Sequence, residues 1–205
     1  MNIPYFAWNA ETIGFWGTIA LTIVRLWGLW RQNKAIWVNR SGKSISVPLF
    51  SYSLFAFAIV TIYGLSIKNF AFVFNGVLHT IIYAPILIGL WKFKGFTKLE
   101  KILIISFLGT TLLAAILPHK DVFFFGSSVG NVVVSFLLPM EIYRNKNRGV
   151  VSIQFLWVSL INSSFWTLYG FAIKDWVLEI TCPIFLAIAI VTILLWFKYK
   201  NPKTQ

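Results

Sequence analysis

Few residues of this chain can do chemistry, and most of them lie inside long apolar runs. Asn75 and His79 are four residues apart, so on a helix they share a face, an amide one turn from an imidazole that titrates near neutral pH. An unpartnered amide in hydrocarbon costs several kcal/mol, so Asn75 must face protein or a wet cavity. There it either offers a donor and an acceptor to a bound hydroxyl or ties two helices together. His79 reads as a proton carrier or as a neutral, hydrogen-bonded core residue. Glu179, the second candidate for proton coupling, is close enough to the end of its run to reach the headgroups or Lys174 instead. Arg25 lies about five residues from the end of the first run, where it either snorkels to the interface or meets a carboxylate on a solute. Asn131 and Ser135, with Ser53 and Ser159, add amide and hydroxyl groups that could line a path or simply let helices approach closely.

Other chemistries are excluded. Cys182 is the single cysteine, so neither a disulfide nor a paired metal site can form. His79 and His119 fall in different regions, and there is no nucleophile–base spacing, metal motif or phosphate-binding glycine loop. No enzyme activity, cofactor or metal is expected.

The elements that must position these residues follow from composition. Apolar residues make up 58% of the chain and charged ones 12%. An ordinary soluble domain carries about 25% charge, so this chain needs a lipid surround. A helix crossing ~30 Å of hydrocarbon takes roughly 20 apolar residues. Seven such stretches appear, from Ile13 to Trp30, Val47 to Ile67, Phe70 to Trp91, Ile102 to Pro118, Val122 to Tyr143, Ile153 to Ile173 and Trp176 to Phe197. The opening eleven residues lack Lys and Arg, unlike a signal peptide, so no cleavage is expected.

Charge sets the orientation. Of the eighteen Lys and Arg, fourteen fall in loops on one side, at residues 31–43, 92–101, 144–148 and 198–203, whereas the other side has only Lys68, Lys120 and Lys174. Basic residues in short loops stay cytoplasmic, which puts the N-terminus outside and the C-terminus in the cytoplasm, in the plasma or inner membrane of the cell. The net charge of +12 is then topological and implies no nucleic-acid partner. Nine of the ten Trp fall near one interface or the other, as the indole preference for headgroups predicts. Trp166 does not, being some thirteen residues into the sixth span.

The segment TIYGLSIKN, residues 61–69, returns 106 positions later as TLYGFAIKD, residues 167–175. Ungapped comparison of residues 44–69 with 150–175 gives eight identities in 26. Two three-span units would point in opposite directions unless one further span turned the second over, and the fourth span does this. The expectation is an all-α integral membrane protein of seven transmembrane helices, in which two parallel three-helix repeats, residues 1–101 and 119–205, are joined by an inversion linker helix, residues 102–118.

This three-plus-one-plus-three plan and the loop RQNKAIWVNRSGKSISVP, residues 31–48, resemble the PQ-loop superfamily, most closely the SWEET and SemiSWEET sugar transporters. That family ends the first helix of each repeat with Pro-Gln and opens the second with Pro. Here Arg31 stands before Gln32, Pro139 before Met140, Pro48 opens the second span and Gln154 replaces its counterpart, the second loop being read as shorter. The resemblance implies hinges at Pro48 and Pro139. It also implies a sugar pocket lined by a Trp three residues before the Tyr-Gly and an Asn in the third helix. The first copy has Val60 and Asn75 at those places, and the second has Trp166 and either Thr181 or Cys182. An indole face suits the apolar side of a pyranose ring, and an amide suits its hydroxyls. Asn131 and Ser53 join these as lining residues. The expected function is passage of a small neutral solute, a sugar first of all, by facilitated diffusion with alternating access. A proton-coupled carrier of amino acids or other metabolites, and a seven-span receptor or sorting protein using SGKS and the basic loops, are the alternatives.

Overall fold

In the computed structural model the chain is described at residues 3–4, 7–42, 45–147 and 152–199. Lys43, Arg148, Lys200 and Lys203, which enter the charge count, and Ser44 of SGKS lie outside the described residues. Seven helices are described: α1 (Ala10–Asn39), α2 (Val47–Ser66), α3 (Phe70–Phe93), α4 (Lys98–Ile116), α5 (Lys120–Asn145), α6 (Ile153–Ile173) and α7 (Trp176–Lys198). Each is long and apolar enough to cross a membrane, and no strand occurs among the described residues.

The expected spans agree with the helices to within a few residues except at α1, which continues nine residues past Trp30. Charged Arg31 and Lys34 ended the apolar run, yet Ile36 beyond them is buried and the Trp37 indole donates to the Pro85 carbonyl at 3.1 Å. Packing of these two side chains on α3 carries the helix through its polar turn. Ile36, Val47, Tyr83, Ile86 and Leu90 form one apolar core.

By its own contacts the chain separates into two compact units. One gathers Thr22–Phe124, the later part of α1 with α2, α3 and α4. The other gathers Pro4–Leu21, the opening of α1, with the chain from Phe125 onward. In the first unit Tyr63 stacks on Phe124 at 4.6 Å between centroids. In the second, Phe15 meets Tyr169 edge-on at 6.1 Å, and Leu156, Ile193 and Trp196 form a separate core.

The repeated phrase is a folding device. Lys68 and Lys174 close α2 and α6 in the left-handed region, at φ 55° and 54°. In the next position Asn69 and Asp175 cap the following helix. The Asn69 side chain accepts from the Ala71 and Phe72 amides at 3.0 and 3.4 Å, and Asp175 from the Leu178 amide at 3.0 Å. Their own amides donate back to the Gly64 and Gly170 carbonyls, at 2.9 and 3.0 Å. The glycines let the two helices meet. A Cβ on Gly64 would come within 2.6 Å of the Phe72 Cβ, and one on Gly170 within 2.5 Å of the Leu178 Cβ. Phe72 and Leu178 are themselves 106 residues apart, so the whole corner repeats.

This corner yields a prediction. Left-handed backbone disfavours a side chain, so Lys174→Gly is expected to stabilise the protein by up to ~1 kcal/mol. Asp175→Ala, which orphans a helix amide, is expected to destabilise it by ~1 kcal/mol. Thermal unfolding in detergent micelles checks both, and equal melting temperatures for the two variants would contradict the assignment.

Arg40 and Lys146 also have positive φ, 47° and 46°, at the ends of α1 and α5. They too are 106 apart, so the offset holds through the preceding loop, and the second loop is not shorter. Pro139 therefore matches Asn33 rather than Arg31. Gapless alignment across the repeated helix ends is the physical reason for the change.

Candidate functional site

In the first unit the polar residues converge on α3. Asn75, His79 and Tyr83 follow one another at single-turn spacing, and all three are buried. Close approach of α2 and α3 makes this possible, because Gly76 leaves room for the α2 backbone. Phe57 of α2 then lies flat on the His79 ring at 4.0 Å and on Tyr83 at 5.7 Å. Ser53 is half-buried one turn earlier on α2. Val60 is half-buried on the same helix.

The hydrogen-bond roles follow from the partners. His79 Nδ1 lies 2.8 Å from the Asn75 carbonyl, which can only accept, so Nδ1 carries the proton and Nε2 presents a lone pair. His79 Nε2 and Asn75 Oδ1 are both buried without a hydrogen-bond partner. Buried polar atoms are normally paired, and an exception calls for a water or a ligand to complete it. Both open atoms are acceptors, the complement of a hydroxyl proton.

In the second unit Trp166 is 9% exposed and meets Tyr169 edge-on at 6.2 Å. Here α1 presses on α6: a Cβ on Gly14 would come within 2.9 Å of the Tyr169 Cα. The offset of 106, fixed by the Asn69 and Asp175 caps, makes Thr181 the counterpart of Asn75 and places Cys182 opposite Gly76. The Thr181 hydroxyl donates to the Val177 carbonyl at 2.7 Å, leaving an oxygen that can accept. Cys182 is buried beside it. Asn131 is half-buried on α5, and Glu179 is half-buried in the first turn of α7.

Several residues escaped the sequence reading. Asn162, one turn before Trp166 on α6, has a buried Oδ1 without a partner, and its i, i+4 spacing from the deep indole was the available signal. Asn33 Oδ1 on α1 is likewise buried and unpaired. Pro85 and Pro183 interrupt α3 and α7, as Pro139 does α5, and each removes one backbone bond. Pro48 differs, because it sits in the first turn of α2, where a missing amide proton breaks no intrahelical bond. Among the described residues no group of three His, Cys, Asp or Glu could hold a metal ion.

Seven membrane-long helices that bury amide, imidazole and indole groups define an integral, multi-pass membrane protein. Its fold is the three-plus-one-plus-three plan of the SWEET transporters: a solved structure of a eukaryotic SWEET transporter superposes with a TM-score of 0.77 at 11% sequence identity, covering 93% of this chain and 97% of that one. Residues 122–204, nearly all of the second repeat, match the family described as "Sugar efflux transporter for intercellular exchange". The resemblance drawn from the loop and the repeat is thereby shown, in sequence over the second repeat and in fold over nearly the whole chain. What the chain resembles is a family of transporters, not of enzymes. No curated protein sequence matches it.

Proposed function

We propose that the protein is a carrier that moves a sugar across its membrane by facilitated diffusion with alternating access. The observation that carries this reading is the pair of buried, unpartnered acceptors on α3, Asn75 Oδ1 and His79 Nε2. A sugar hydroxyl supplies the proton that such atoms lack. In the second unit Trp166 supplies a flat apolar surface that suits a pyranose ring, with Asn162 one turn before it on α6 and Thr181 on α7; in the first, Ser53 and Val60 share α2 with the Phe57 ring that covers His79. The match of residues 122–204 to a sugar efflux family supports the same solute class. Pro139, Pro85 and Pro183 are the points at which helices bend during the cycle, and Pro48 fixes where α2 begins. The N-terminus faces outward, a reading supported by the fourteen-to-three bias of basic residues.

Purified protein in liposomes tests the proposal through uptake of labelled sugars, amino acids and nucleosides, with and without a pH gradient. Sugar uptake that ignores the gradient is the expected result. Acceleration by an inward proton gradient, lost in His79→Ala or Glu179→Gln, would establish a proton-coupled carrier instead. Binding without uptake would establish a receptor.

A further inference from the structure

We propose that Arg25 binds an anionic group on the solute, so that the preferred sugar bears a carboxylate or a phosphate. This rests on the carrier reading above and names the class of sugar carried, an acidic one in place of the neutral solute expected from the sequence.

The place of Arg25 in α1 differs from what the apolar run implied. Because α1 runs unbroken from Ala10 to Asn39, Arg25 is at its centre. Its depth follows from contacts within the first unit. Ile36 of α1 packs where a Gly89 Cβ would stand, 2.9 Å away, and Trp37 reaches Pro85. Helices α1 and α3 are separated by one crossing, so they run the same way. Eleven residues, about three turns, before Ile36 is Arg25, displaced only ~20° around the helix. Eleven before Gly89 is Leu78, next to His79. Arg25 is accordingly level with His79 on α3. His79 is ten residues into the 24-residue α3, far from either end. Snorkelling does not describe a side chain held at that level.

The charge there has no protein partner of opposite sign at its depth. The six acids of the chain are Glu11, Glu100, Asp121, Glu141, Asp175 and Glu179, all close to helix ends. Glu100 is engaged by the Thr97 amide and hydroxyl at 2.8 and 3.0 Å. Arg25 is nevertheless exposed, although it follows the same side of α1 as buried Thr18 and Ile36. Its guanidinium therefore opens onto space that the protein's own atoms leave unfilled. An unbalanced cation at mid-depth is costly, and a bound anion relieves that cost. Guanidinium grips carboxylate or phosphate oxygens through two parallel hydrogen bonds. One turn away on α3 lie the open acceptors of His79, fully buried, and Asn75, 5% exposed. An acidic head joined to a hydroxylated body satisfies both kinds of group.

Proteoliposomes carrying the wild type are to be offered labelled glucose, glucuronate and glucose 6-phosphate in parallel. We expect at least one anionic sugar to be preferred over glucose by about tenfold, the preferred anion identifying the head group as carboxylate or phosphate. In Arg25→Gln the ratio of anionic to neutral uptake should fall by about tenfold, and Arg25→Lys, which keeps the charge but not the fork, should fall between. A wild type that prefers glucose overturns the anion proposal and needs no variant to do so. Equal loss of all three sugars in Arg25→Gln overturns it as well, since that marks a structural role. Failure of every sugar to move, charged or not, instead refutes the carrier reading beneath it.

Discussion

Gly76→Ala is expected to destabilise the protein by about 2–3 kcal/mol, although alanine is the better helix former by ~1 kcal/mol. The added Cβ would stand 2.6 Å from the Thr61 amide nitrogen and 2.8 Å from the Phe57 carbonyl oxygen. Both are backbone atoms of α2, which cannot turn aside as a side chain can. Forced apart there, α2 and α3 lose the Phe57–His79 stack and with it the setting of Asn75. Gly109→Ala in α4 and Gly126→Ala in α5 supply the contrast, because a Cβ at either meets nothing within 4 Å. Relief from glycine's backbone freedom should make those two variants more stable by up to ~1 kcal/mol. Unfolding in micelles thus has to show opposite signs. If Gly76→Ala melts with Gly109→Ala, the helix contact that shapes the site is wrong.

Uptake should fall by about tenfold in Trp166→Ala and by a similar factor in Asn75→Ala. The first removes the flat apolar face and the second an acceptor, leaving a solute hydroxyl buried and unmatched. Gly109→Ala, far from these groups in sequence and in an open position, serves as the folded reference. Unchanged transport in both single variants would remove these residues from the path while leaving the fold intact.

Much of the fold was legible because the membrane imposes a coarse rule on sequence. The limits of α6, Ile153 and Ile173, coincide with the apolar run because Ser152 and the Lys174–Asp175 corner interrupt it sharply. At α1 the same rule failed, since Arg31, Gln32, Asn33 and Lys34 look like a loop while Ile36 and Trp37 anchor their turn to α3 through contacts nearly fifty residues away in the chain. That failure hid the setting of Arg25. Asn75 announced itself as an amide in a greasy run, and His79 by its spacing from it. Asn162 did not, lying among the serines of a more polar helix, and the choice between Thr181 and Cys182 needed the helix caps to fix the register. Tyr83 was invisible as a polar residue because aromatic rings are ordinary members of apolar spans. It entered the site only through its one-turn spacing from His79 and the Phe57 ring that lies on both.

Lys120 reaches back to the last turn of α4, its ammonium donating to the Ala114, Ala115 and Leu117 carbonyls at 2.9, 2.9 and 2.6 Å. With the Thr97–Glu100 capping box at the other end, α4 is secured at both tips, while between them Ala114 is its one buried residue. Most of this rod's side chains are left for acyl chains to wet, while Ile104 packs on the apolar core and Phe107 meets the Tyr52 and Phe55 rings of α2. Its exposed positions can drift through any greasy alphabet of equal length, which makes the outward side of α4 the natural place to graft a fluorophore or affinity handle without disturbing what the rest of the molecule holds.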